Sequence, residues 1–171
     1  MIKPVQTRRY VALLRAISNV SMQPFREGME DLGFTDVVSF GMSGNLLFNS
    51  SSGDLLLLEK LVSNRFGTAA VIRKRTELAR IVAHDPYKSG ILFLTNTPTS
   101  AQRREFDKLD FGDPRPALRG RTIFFVYPVI IRDKRTPFDF ESALGILGTM
   151  RSAGVVKKIL EKMGGSASKA G

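Results

Sequence analysis

Apolar positions in this chain fall in short runs punctuated by glycine, proline and polar clusters, which is the signature of alternating short strands and helices. Arg9 to Ile17 is an apolar run bounded by charge and predicts a strand. The polar stretch Ser18 to Gln23 leads into Pro24, suited to the first turn of a helix that carries Phe25, Met29 and Leu32 and stops at Gly33. Asp36 to Phe40 and Asn45 to Asn49 flank Gly41-Met42-Ser43-Gly44, predicting a hairpin whose loop uses glycine's positive φ. Asp54 caps a Leu-rich helix ending near Phe66-Gly67, and Thr68 to Arg73 resumes as a strand.

The order through residue 75 is therefore βαββαβ, the ferredoxin-like plait. The remainder echoes it without repeating its sequence. A short helix over Thr76 to Ala83 precedes a buried strand over Gly90 to Asn96 and an amphipathic helix over Thr99 to Leu109. Pro116 to Arg119 and Thr122 to Tyr127 surround Gly120 as a second hairpin, followed by helices over Phe138 to Leu147 and Ser152 to Met163. The expected class is α+β: two ferredoxin-like (α/β plait) subdomains, with antiparallel sheets and helices packed on one face. The first is expected over residues 1–75, a second and less regular one over 76–163, and a disordered tail over 164–171.

Three segments, Tyr10-Val-Ala-Leu-Leu-Arg-Ala-Ile, Leu32-Gly-Phe-Thr-Asp-Val and Ser43-Gly-Asn-Leu-Leu-Phe, carry a resemblance to the bacterial family called domain of unknown function 1697. Arg15, Ile17, Asn19, Val20, Ser43, Gly44, Asn45, Thr149, Arg151, Val156 and Lys158 resemble the corresponding family positions, and Lys134 is similar to the lysine of a Ser-Lys-Leu-Thr stretch. The resemblance implies a pair of ferredoxin-like subdomains and a bacterial cytoplasmic protein, and no established activity. The chain also departs from the pattern. Ala16 stands where the family has glycine, Ser21 and Met22 replace paired glycines, Met42 replaces the hairpin glutamine, and Ser152 to Val155 replace polar and aromatic residues.

Composition narrows the chemistry. The 171 residues hold no cysteine, which excludes disulfides, thiolate nucleophiles and cysteine-ligated metals and suits a reducing cytoplasm. Neither a signal peptide nor a run near the 20 residues of a membrane span is expected, so no membrane partner is assigned. His84, the one histidine, falls at a helix end, where interaction with the helix dipole explains it better than general base work. Asp107, Asp110 and Asp113 straddle another helix end and read as capping and solvation rather than metal ligation. No cofactor is expected, and the reading leans away from an enzyme.

The formal charge of +10 favours an anionic partner, a small molecule or nucleic acid. The rings of Tyr10, Phe48, Phe93, Phe124, Phe125 and Tyr127 are the aromatic set a nucleic-acid-binding plait would expose, but the RNA-recognition signature is absent and a core role fits better. Gly41-Met-Ser-Gly-Asn reads either as a tight hairpin or as a cradle of N–H groups for an anion. Arg15 and Asn19 leave the first strand nearby, although Arg15 is equally suited to a salt bridge with a helix carboxylate. The expected ligand-binding set is Arg15, Asn19, Ser43, Gly44, Asn45, Lys134, Arg151 and Lys158, with Arg15, the Ser43 to Asn45 hairpin and the Arg151 to Lys158 segment converging on one cleft. The function expected is a non-enzymatic binding protein for a nucleotide or nucleic acid. A small enzyme using the same cleft and a homo-oligomeric scaffold are the alternatives.

Overall fold

The computed structural model describes residues 2–126 and 137–165. Its first half runs β1 (Arg8–Leu14), α1 (Gln23–Asp31), β2 (Thr35–Phe40), β3 (Asn45–Ser50), α2 (Leu55–Phe66) and β4 (Ala70–Lys74). The strands form one antiparallel sheet in the order β2-β3-β1-β4, with the first strand central, as expected of a plait. Local chemistry sets the boundaries. Pro24 opens α1, Asp54 Oδ1 accepts the Leu57 N–H at 3.1 Å to cap α2, and Gly67 closes α2 at φ +65°.

After α3 (Arg75–His84) the second half repeats the plan with β5 (Gly90–Leu94), α4 (Ser100–Asp107), β6 (Ala117–Arg119), β7 (Thr122–Phe125), α5 (Pro137–Leu144) and β8 (Gly148–Ser152). The sheet order β6-β7-β5-β8 is the same permutation as in the first sheet. A final helix, α6 (Ala153–Gly165), follows. β8 is not among the strands expected from the sequence, which places 148–151 between two helices and Ser152 at the start of the last one. Gly-Thr-Met-Arg-Ser has little strand propensity, and pairing with β5 makes it a strand, in a register where a Cβ on Gly148 would stand 2.9 Å from the Phe93 carbonyl oxygen. Gly164 and Gly165 belong to α6; the rest of the expected tail, like Tyr127 and Lys134, lies outside the described residues.

Tyr10–Leu14 of β1 and Ile91–Leu94 of β5 are apolar at every position because both their faces are covered. Tyr10, Ala12 and Leu14 of β1 point into a core with α1 and α2, whereas Val11 and Leu13 point into a second core. That second core also takes Ile91 and Phe93 of β5, Phe124 of β7, Leu78 of α3 and Val156 and Ile159 of α6. Leu92 and Leu94 face a third core with Phe106 of α4 and Phe140 of α5. The two sheets thus share the middle layer, and the rings of Tyr10, Phe48, Phe93, Phe124 and Phe125 are all buried. None stands open on a sheet face, although Phe124 lines a small cavity. Among the described residues no helix is long and apolar enough to cross a membrane.

A shared core couples the halves. Replacing Phe93, fully buried in the middle layer, by alanine should cost about 3–5 kcal/mol in urea unfolding and leave one transition, with amides of β1 and β5 losing exchange protection together.

Candidate functional site

Five of the residues expected to bind a ligand do come together, at the end of β1. Arg151 leaves β8 into the space between the sheets and is buried there. Its Nε donates to Asn45 Oδ1 at 2.6 Å; Nη1 donates to Thr149 Oγ1 at 2.6 Å and the Met150 carbonyl at 2.8 Å. Nη2 donates to the carbonyls of Leu14 at 3.0 Å and Ser43 at 2.8 Å. A guanidinium has five N–H groups, and the protein itself accepts all five. Loss of water draws its pKa down to about 10, which leaves it charged at neutral pH.

The hairpin turn is shaped for this contact. Gly44 sits at φ +74°, and a Cβ there would stand 2.9 Å from that of Leu14; its carbonyl accepts the Leu14 N–H. Asn45 is buried and donates to the Phe40 carbonyl at 3.1 Å while accepting from Arg151, which fixes its amide orientation. Arg15 forms the helix salt bridge weighed above. Its Nη2 lies 2.8 Å from Glu141 Oε2 of α5 and its Nε donates to Oε1, and this hydrogen bonding raises the Arg15 pKa. Glu141 Oε1 also accepts the Gly148 N–H that opens β8.

These residues are therefore a joint between the two sheets, whose polar atoms face one another. Asn19 stands apart from it, exposed at φ +55° in the loop after β1, and Lys158 is exposed on α6. Two more cross-links were invisible as sequence because their members are scattered. Glu59 of α2 accepts the outward Ile72 N–H of β4 at 3.1 Å and Arg121 Nη2, from the second hairpin, at 2.5 Å. Arg73 is buried beside them, 3.6 Å from Glu59 and with its guanidinium 5.9 Å from the centre of the Phe93 ring. Burial first, then the neighbouring Arg121 cation, pulls its pKa down to about 10.

Unpaired cations gather elsewhere, along α3 and α6. Arg75, at the start of α3, lies against Gly164, at the end of α6, while Val82 and Asp85 share a cavity with Ala153 and Gly154, so the helices run antiparallel. That cavity, of about 390 Å³, is also lined by Lys88, Ile91 and Lys157. A second cavity of about 320 Å³ lies on the other side of α3, among Arg80, Ile81, His84, Arg119 and Phe124. Arg75, Arg80, Lys88, Arg119, Lys157 and Lys158 are exposed, and among the described residues none is ion-paired. Of the nearby carboxylates, Glu77 pairs with Arg73 and Asp85 Oδ1 accepts the N–H groups of Tyr87 and Lys88, while Glu161 of α6 is exposed.

Two stability measurements separate joint from surface. Arg151→Met should destabilise the protein by about 3–5 kcal/mol in chemical denaturation, because buried acceptors on three segments lose their donors, and Arg151→Lys should recover only part of this. Ala16→Gly should stabilise by about 0.5 kcal/mol, since Ala16 holds a left-handed φ of +59° and relief of that strain outweighs the added freedom of the unfolded chain.

The comparisons with known proteins agree with this architecture. The conserved bacterial protein SP0830 from Streptococcus pneumoniae has a solved structure that superposes with a TM-score of 0.66 at 20% identity, over 92% of this chain and 99% of that one. At that identity the likeness speaks for the fold. No match was found among curated proteins. The model of the family described as Protein of unknown function (DUF1697) matches residues 7–124, from β1 through the second hairpin, and the chain belongs to that family.

Proposed function

We propose that the protein binds a phosphate-bearing anion, a nucleotide or nucleic acid, on the surface formed by α3 and α6, without forming a covalent intermediate. One observation carries this reading. Exposed cations of α3, α6 and the adjoining loop and hairpin border two cavities and, among the described residues, outnumber the one exposed carboxylate of these helices without an ion pair, Glu161, while Glu77 and Asp85 are occupied by other partners. A charge with no protein partner costs the fold little and remains available to a ligand. Of the residues expected to bind, Lys158 lies on this surface. A chain without cysteine suits a reducing cytoplasm, where nucleotides and nucleic acids are abundant.

The test is fluorescence anisotropy with a labelled single-stranded oligonucleotide, competed by nucleoside triphosphate, across a salt series. Affinity should fall linearly on a double-logarithmic plot, with a slope of about −0.7 per phosphate neutralised. Lys157→Glu should weaken binding by about tenfold and make the slope shallower by about 1, while Lys60→Glu on α2 should change neither. Absence of binding at low salt by both oligonucleotide and triphosphate would remove this function.

A further inference from the structure

The cavity between the end of α3 and the second hairpin has a chemistry more specific than its positive charge. Its floor is apolar, made by Ile81 and the buried Phe124. Its remaining lining is Arg80, His84 and Arg119, so its charged members are basic and no carboxylate lines it. At about 320 Å³ it falls at the small end of organic ligand sites. A bare inorganic ion gains nothing from an apolar floor, and a neutral apolar molecule gains nothing from two guanidiniums. The combination fits a ligand with both parts.

Arg119 is positioned before any ligand arrives. Its Nη1 donates to the His84 carbonyl at 2.8 Å, and its guanidinium carbon lies 5.9 Å from the centre of the Phe124 ring. Both contacts leave N–H groups for an oxyanion and reduce the side-chain entropy lost on binding. His84 Nδ1 lies 2.9 Å from the Arg80 carbonyl, which can only accept, so Nδ1 carries the proton and Nε2 is left for other partners. Arg80 is exposed one turn before His84. Two planar donors that match phosphate oxygens therefore flank an imidazole above an apolar floor.

We infer that this cavity is a binding site for a small organic phosphate monoester with a flat apolar body, the phosphate held by Arg80 and Arg119 and the body lying over Ile81 and Phe124. The inference rests on the anion-binding reading above and assigns it a ligand class and a pocket. Phenyl phosphate is the probe, with inorganic phosphate and phenol as its separate halves, followed by amide NMR shifts of the intact protein.

Phenyl phosphate should give saturable shifts confined to residues around 80–84, 119 and 124, at least about tenfold tighter than either half. Arg80→Met and Arg119→Met should each weaken it by about tenfold, with Arg119→Lys retaining part of the affinity and the amide spectrum of each variant verifying its fold. Phosphate or phenol binding as tightly as phenyl phosphate, or shifts that map elsewhere, would overturn the assignment. If the oligonucleotide binds along α3 and α6 while phenyl phosphate ignores the cavity, the pocket fails and the broader reading stands. If neither binds, both fail.

Discussion

A buried guanidinium with no carboxylate beside it is the constraint on which the molecule is built. Desolvating such a charge costs several kcal/mol unless every N–H is met, and Arg151 meets that condition by drawing acceptors from the end of β1, the β2–β3 turn and its own strand. Carbonyl dipoles supply the compensation. Because those acceptors belong to both sheets, the charge is satisfied only when the sheets dock in this one arrangement. Hydrophobic burial drives the two halves together without direction, and Arg151 supplies a direction.

The rest of the joint extends the same logic. Arg15 and Glu141 tie the end of β1 to α5 and to the start of β8. Glu59 blocks the outward N–H of Ile72 while receiving Arg121 from the other half, and Ser63, one turn along α2, accepts the outward N–H of Ala70 at 3.1 Å. The free edge of β4 is thus capped by side chains of its own layer, which removes a template for pairing with another chain. At the opposite edge, β2 carries a register shift between Thr35 and Val38 and a left-handed Asp36, which blunt it in another way.

This separation of duties sets the proposed binding surface apart from most of the residues expected to form it. The polar residues after β1, in the hairpin and in β8 invite a ligand-binding reading because they resemble the polar positions of the family pattern. Their chemistry is instead consumed inside the protein. Exposed cations without an ion pair among the described residues lie on or beside α3 and α6, whose apolar faces close the middle core and whose outer faces carry charge. Cations presented on regular elements are held in fixed positions, which suits the proposed binding surface.

Much of the architecture is local and is therefore readable from the residues. Glycines at positive φ mark the hairpin turns, Asp54 and Gly67 bound α2, and unbroken apolar runs at β1 and β5 announce strands covered on both faces. What escaped was conferred from a distance. β8 is a strand because β5 lies beside it, and its own Gly-Thr-Met-Arg-Ser has no preference strong enough to say so. The role of Arg151 escaped for the same reason. An arginine near a Ser-Gly-Asn turn has one composition whether it binds a ligand or the chain, and its acceptors at Asn45 and Leu14 are 106 and 137 residues away. The sequence by itself determined where most strands and helices start and stop, because those depend largely on neighbours a few positions apart. Only the tertiary structure decided which polar groups are used up inside the fold, because that depends on which carbonyls come within about 3 Å of a donor once the sheets have closed on one another.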